Sequence, residues 1–192
     1  KFDKQVTKTN NHSVMQDFVA MVKMSYQSLV LIFVISIFLY VLIEQGIGTW
    51  LPTFNNEVLN LPVSISVQIT SIFAAALAIG RLLAGQLLKR MDWYLFLNLC
   101  LALMAALMLV SLPLAQPVSG EIQTFSDIPV AAFILPMVGL MMAPIYPVLN
   151  SVMLSALEPS RHAAMTGLIV VFSALGGTTG SIITGLVFDR FD

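Results

Sequence analysis

Charge is what this sequence lacks. Only 10% of its 192 residues are Asp, Glu, Lys or Arg, where a soluble domain carries about 25%. So few ionic groups cannot coat a water-facing surface, which argues against an ordinary soluble domain and for a membrane protein. With nine cationic and ten acidic side chains, there is neither a basic stripe nor an acidic tail, so nucleic acid is not expected as a partner. Cysteine is scarcer still. Cys100 stands alone in an apolar run, cannot form an internal disulfide, and reads as a small buried hydrophobe. The two histidines, His12 and His162, have no metal-ligand spacing. No nucleophile–His–acid set can be gathered on one membrane face, so the sequence predicts no enzyme, no metal and no cofactor. A signal-peptide pattern is also missing from the polar opening at Lys1. The run ends at Phe191-Asp192, directly after an apolar stretch, and the chain reads as a fragment cut at both ends.

What is abundant is hydrophobic sequence: 58% of residues, with mean hydropathy +0.90. A membrane-crossing helix needs about 20 apolar residues. Five runs qualify, at residues 28–51, 67–88, 94–115, 128–157 and 165–188. They must be helices, because within one short segment only a helix satisfies its own backbone in lipid. The fourth run is too long for a straight crossing. It should tilt, protrude, or bend at Pro136, Pro144 or Pro147.

Cationic residues set the expected orientation. Lys1, Lys4, Lys8, Lys23, Arg81, Lys89, Arg90 and Arg161 fall on one side and Arg190 alone on the other, while the loops 52–66 and 116–127 contain no Lys or Arg. The positive-inside rule therefore places the N-terminal segment and the turns at 89–93 and 158–164 in the cytoplasm. Residues 1–27 read as a cytoplasmic lead-in, with a weak signal at Ser13-Val-Met-Gln16 for capping a short amphipathic helix.

Against this apolar background, a few polar residues stand out. Glu44 is the one acidic residue inside a span, where a carboxylate costs roughly 2.5–3.5 kcal/mol and is a functional candidate by default. Ser36, Tyr40 and Glu44 share a helix face by i, i+4 spacing. That face is expected to line a watery cavity, with Glu44 in the outer half. Gly46 and Gly48 should loosen the helix beyond it and Pro52 should end it. A structural role for Glu44, snorkelling or pairing with a neighbouring helix, competes with this reading.

In the fourth span Tyr146 and Asn150 are again i, i+4, and Asn150 offers donors and acceptors to a hydroxylated ligand or to another helix. Gly176 and Gly180 form a GxxxG suited to close helix packing. The same Gly-rich run lacks a phosphate-loop lysine, so nucleotide binding is not expected. Arg81 lies nearer the inner surface, with no obvious partner at that depth. It reads as snorkelling or as a gating ion-pair member.

Three local patterns resemble the major facilitator superfamily of secondary transporters. Tyr40-Val41 with Glu44, Gly48, Trp50 and Leu51-Pro52 looks like its seventh helix. Ile79-Gly80-Arg81 through Gly85 to Lys89-Arg90 looks like the eighth helix entering a degenerate copy of the loop motif Gly-x-Leu-x-Asp-Arg-x-Gly. Gly85, Leu87 and Arg90 fit this motif, but Lys89 and Asp92 depart from it, which puts the loop's gating role in doubt. Tyr146-Pro147 followed by Gly167, Gly176-Gly177, Gly185 and Phe188-Asp189 is similar to the tenth and eleventh helices of the fucose and glucose/galactose permease branch.

The resemblance implies an all-α integral membrane fold, a partial bundle holding the seventh to eleventh of twelve helices, with the first half and last helix outside this chain. Because the halves are themselves repeats, helices one to five are the competing assignment, which the basic lead-in and the Tyr-Pro pair disfavour. It further implies alternating access of a small polar solute, a sugar, with proton coupling to be tested. Tyr40, Glu44, Gln45, Trp50, Tyr146 and Asn150 would bind the solute, Trp50 by stacking. Glu44 is also the proton-coupling candidate, and Arg81, Gly176 and Gly180 would serve gating and packing. An exporter of drugs or metabolites from the same superfamily, and a non-transporting receptor or scaffold, are the rival readings. The implied partners are the solute, the lipid bilayer and the missing N-terminal half.

Overall fold

The computed structural model describes residues 19, 21–24, 26–118 and 127–191. The capping signal at Ser13 and most of the lead-in lie outside the described residues. Within them, residues 21–24 are helical and Met24 is buried against the bundle.

Every regular element among the described residues is helical. In chain order these are α1 (Ser28–Thr53), α2 (Val63–Leu87), α3 (Trp93–Leu114), α4 (Ala131–Met142), α5 (Ile145–Ala156) and α6 (His162–Phe191). Together α4 and α5 make one crossing, so five helical spans are long and apolar enough to cross a membrane. Leu29, Ile32, Leu82, Leu109, Leu112 and Leu186 remain exposed. Lipid, rather than a protein core, suits such a surface.

Two expectations about local structure fail, both near the end of α1. Pro52 does not end α1, and Gly46 and Gly48 do not loosen it. The helix runs through all three and continues as a π-turn over Phe54–Val58. Proline removes one N–H and so forfeits one hydrogen bond. The chain absorbs this by widening, with the Leu59 N–H donating to the Phe54 carbonyl at 3.3 Å. The first crossing is therefore Ser28–Val58, 31 residues, rather than 28–51. In the fourth run, Pro136 lies inside α4 and Pro147 in the first turn of α5, where a missing N–H costs little. The break falls at Ala143-Pro144, between the two helices.

The spans pack as two parallel pairs. In the first, α6 runs alongside α1. A Cβ added to Gly176 would strike the Phe38 carbonyl, and one on Gly180 the Leu42 carbonyl. Only hydrogen fits between these backbones. In the second pair α2 runs alongside the α4–α5 crossing. A Cβ on Gly80 would come within 2.7 Å of the Ala143 Cβ, and one on Gly139 within 2.7 Å of the Phe73 ring. Helix α3 packs against α4, and its Phe96 and Cys100 are buried with Ala84 of α2. The α4–α5 crossing is the most enclosed of the five, so its polar residues sit at the centre of the bundle.

Candidate functional site

The polar residues of α1 are disposed by helix geometry. Ser36, Tyr40 and Glu44 follow one face, but they do not share one environment. The Ser36 hydroxyl donates to the Ile32 carbonyl at 2.8 Å within its own helix. The Tyr40 side chain is buried, and its hydroxyl crosses to donate to the Met142 carbonyl at 3.1 Å. Met142 ends α4, where helix carbonyls lack intrahelical partners. Tyr40 thus caps the broken crossing.

One turn further, Glu44 Oε1 accepts from Arg81 Nη2 at 3.2 Å. This corrects two expectations. Arg81 does have a partner at its depth, and that partner is Glu44. Nor does Glu44 lie in the outer half: with the crossing extending to Val58, residue 44 falls near its midpoint. The pair is asymmetric in exposure, the Glu44 side chain 15% exposed and that of Arg81 51%. Tyr40 lies within electrostatic reach of both charges.

The α5 residues complete the centre. The Tyr146 ring lies 5.9 Å from that of Tyr40, tilted by 34°, and its hydroxyl hydrogen-bonds the Ser173 hydroxyl of α6 at 3.1 Å. One turn on, Asn150 Oδ1 is sealed from solvent with no hydrogen-bond partner. An orphaned amide oxygen costs about 1–3 kcal/mol, which marks it as an acceptor awaiting a donor. Beside this centre lies a cleft of about 500 Å³ with Arg81, Asp92, Trp93, Pro147 and Ser151 among its walls. That volume falls within the usual range for small-molecule sites, about 300–1,000 Å³.

Not every expected site residue joins this group. Gln45 is exposed, and its aliphatic stem packs toward Gly177 of α6. Trp50 is elsewhere. Its indole N–H donates to the Ser181 carbonyl at 2.9 Å and its ring stacks on Phe188 at 5.3 Å, so the face offered to a solute in the sequence reading is covered by protein. Gly176 and Gly180 lie in the seam between α1 and α6. Three contributors were not foreseen: Ser173, the Met142 carbonyl and Trp93. Ser173 had a signal, because Ser173, Gly177 and Gly180 recur at i, i+4, i+7 and so share a face. The Met142 carbonyl had none, since a backbone acceptor is freed only by the break after it.

A family model described as Major Facilitator Superfamily matches residues 3–188. No curated protein and no solved structure matches the chain.

Proposed function

Because the chain belongs to the Major Facilitator Superfamily of membrane transporters, we propose that it forms part of a secondary transporter moving a small polar solute, a sugar, by alternating access. In this reading it supplies the seventh to eleventh of twelve helices of a multi-pass protein, with its N-terminal segment in the cytoplasm. A first six-helix half provides the facing wall of the solute path, and proton coupling completes the proposal.

The observation that carries it is the Glu44–Arg81 pair, held at mid-depth with Arg81 on the wall of a largely apolar cleft. Charges at that depth are costly and are kept where they meet solute or water. Around the pair, Tyr40, Tyr146 and Asn150 add hydrogen-bonding groups on two further faces. The pairing with Arg81 favours Glu44 as a binding carboxylate first and a proton carrier second.

The test is uptake of radiolabelled hexose by the complete protein in vesicles with an imposed pH gradient. Asn150→Ala should raise the apparent KM for the transported sugar, and an unchanged KM removes Asn150 from the site. Acceleration by an inward proton gradient is the expected signature of coupling, and uptake indifferent to that gradient overturns it. The exporter reading draws on a separate apolar pocket of about 230 Å³ between Trp50, Phe54, Met108, Leu135 and Phe188. Efflux of a hydrophobic dye that survives Asn150→Ala but falls with Trp50→Ala would favour that reading instead.

A further inference from the structure

Glu44 and Arg81 meet through a single contact, Nη2 to Oε1, rather than the two-pronged fork that guanidinium and carboxylate can form. The pair is therefore charge-balanced but not saturated. The guanidinium has five N–H donors and the carboxylate two oxygens with about four acceptor sites. Arg81 also lies on the wall of the 500 Å³ cleft and is half exposed there. Among the side chains brought together at this centre (Tyr40, Glu44, Arg81, Tyr146, Asn150 and Ser173), these two alone carry charge.

We propose that Glu44 and Arg81 act as one net-neutral recognition element that sets charge selectivity: it accepts uncharged, hydroxyl-rich rings and rejects the same rings carrying a carboxylate or an ammonium group. This inference rests on the transporter reading above and deepens it by assigning a specificity role to both residues. The physics is one of compensation. A solute with fixed charge must shed water to enter the site, and only a net opposite charge offsets that loss. Here Glu44 and Arg81 are each neutralised by the other 3.2 Å away, and Asp92 on the cleft wall is engaged by the Tyr94 and Leu95 N–H groups at the start of α3. An uncharged hydroxyl loses little, because it can donate to the carboxylate and accept from the guanidinium, whose acceptor and donor capacity a single contact does not exhaust. Selectivity thus comes from what the pair refuses as well as from what it binds.

The experiment uses the complete transporter in vesicles, with radiolabelled D-glucose and D-galactose competed by the uronate and the hexosamine of the same ring. The wild type should be inhibited by the uncharged hexose and poorly by either charged analogue. Glu44→Gln frees Arg81 and should improve competition by the uronate by about 10-fold or more, the worth of a hydrogen bond to a charged group. Arg81→Gln should do the same for the hexosamine. The double variant Glu44→Gln/Arg81→Gln restores neutrality, so neither analogue should gain. Membrane abundance is measured for each. If a single variant is lost from the membrane, the double variant and Arg81→Lys, which keep the charge balance, carry the comparison, and both should retain the wild-type preference. Normal uptake with an unchanged ranking of competitors in both single variants, or a double variant that discriminates as they do, overturns the selectivity role while leaving the transporter reading intact. Failure of the wild type to take up any hexose, with the protein present in the membrane, overturns the sugar reading, and the selectivity role falls with it.

Discussion

The close backbone approaches through glycine fall within the two helix pairs, whereas the polar contacts at the centre of the bundle fall between them. Within the pairs, glycine brings backbones together, Gly176 and Gly180 against α1 and Gly80 against the end of α4. Between the pairs the contacts at the centre are polar and aromatic. Tyr40 reaches Met142, Glu44 meets Arg81, and Tyr146 meets Ser173 and the Tyr40 ring. Every one of these joins α1 or α6 to α2 or the α4–α5 crossing. The difference teaches where solute can go. Backbones in contact through glycine leave no space for water, whereas polar side chains that meet tip to tip can exchange one partner for another.

The sharpest way to break this comparison is to force the first seam open. Gly180→Leu drives a side chain into the Leu42 carbonyl. It should cost about 3 kcal/mol, at the upper end of overpacking penalties, and abolish membrane abundance on immunoblots. Normal abundance would mean that the α1–α6 seam is not closed as described. Next in size is the ion pair, where exposure decides the ranking. Arg81→Gln strands a carboxylate that is 15% exposed, whereas Glu44→Gln strands a guanidinium that is 51% exposed. Thermal melts in detergent should show the larger loss for the first, about 3 kcal/mol for a stranded buried carboxylate. Equal losses would mean that burial does not govern the pair.

Smaller effects test the remaining contacts between pairs. Tyr40→Phe removes one hydrogen bond while keeping the ring, so it should lower the melting free energy by about 1 kcal/mol. The smallest effect should come from Gly85→Ala. Nothing lies within 4 Å of a Cβ there, and alanine favours a helix by up to about 1 kcal/mol over glycine, so stability should hold or rise slightly. A marked loss at Gly85 would show that glycine serves this bundle in some way other than close approach.

Much of this was legible in the residues themselves. The five crossings could be read because lipid leaves a chain no alternative to long apolar runs, and the i, i+4 spacing put Tyr40 and Glu44 on one face and Tyr146 and Asn150 on another. The Glu44–Arg81 contact is not legible in the sequence, because a span taken to end at Pro52 places Glu44 too near its outer end. Once α1 carries on through Pro52 to Val58, Glu44 moves to mid-depth. Trp50 misled for a different reason. An aromatic near a polar cluster invites a stacking role, but its face is covered by Phe188, 138 residues along the chain.

The sequence by itself determined that this chain carries five helices long and apolar enough to cross a membrane, and that polar residues recur at i, i+4 within the first and the fourth. Solvation forces both outcomes, since an apolar run has nowhere else to go and a polar residue within one cannot be hidden from the count. Only the tertiary structure decided which carboxylate meets which guanidinium, and which glycines bring backbones together. Those outcomes depend on how helices far apart in the chain come to lie side by side, and a pattern local to one helix carries no information about the face of the next.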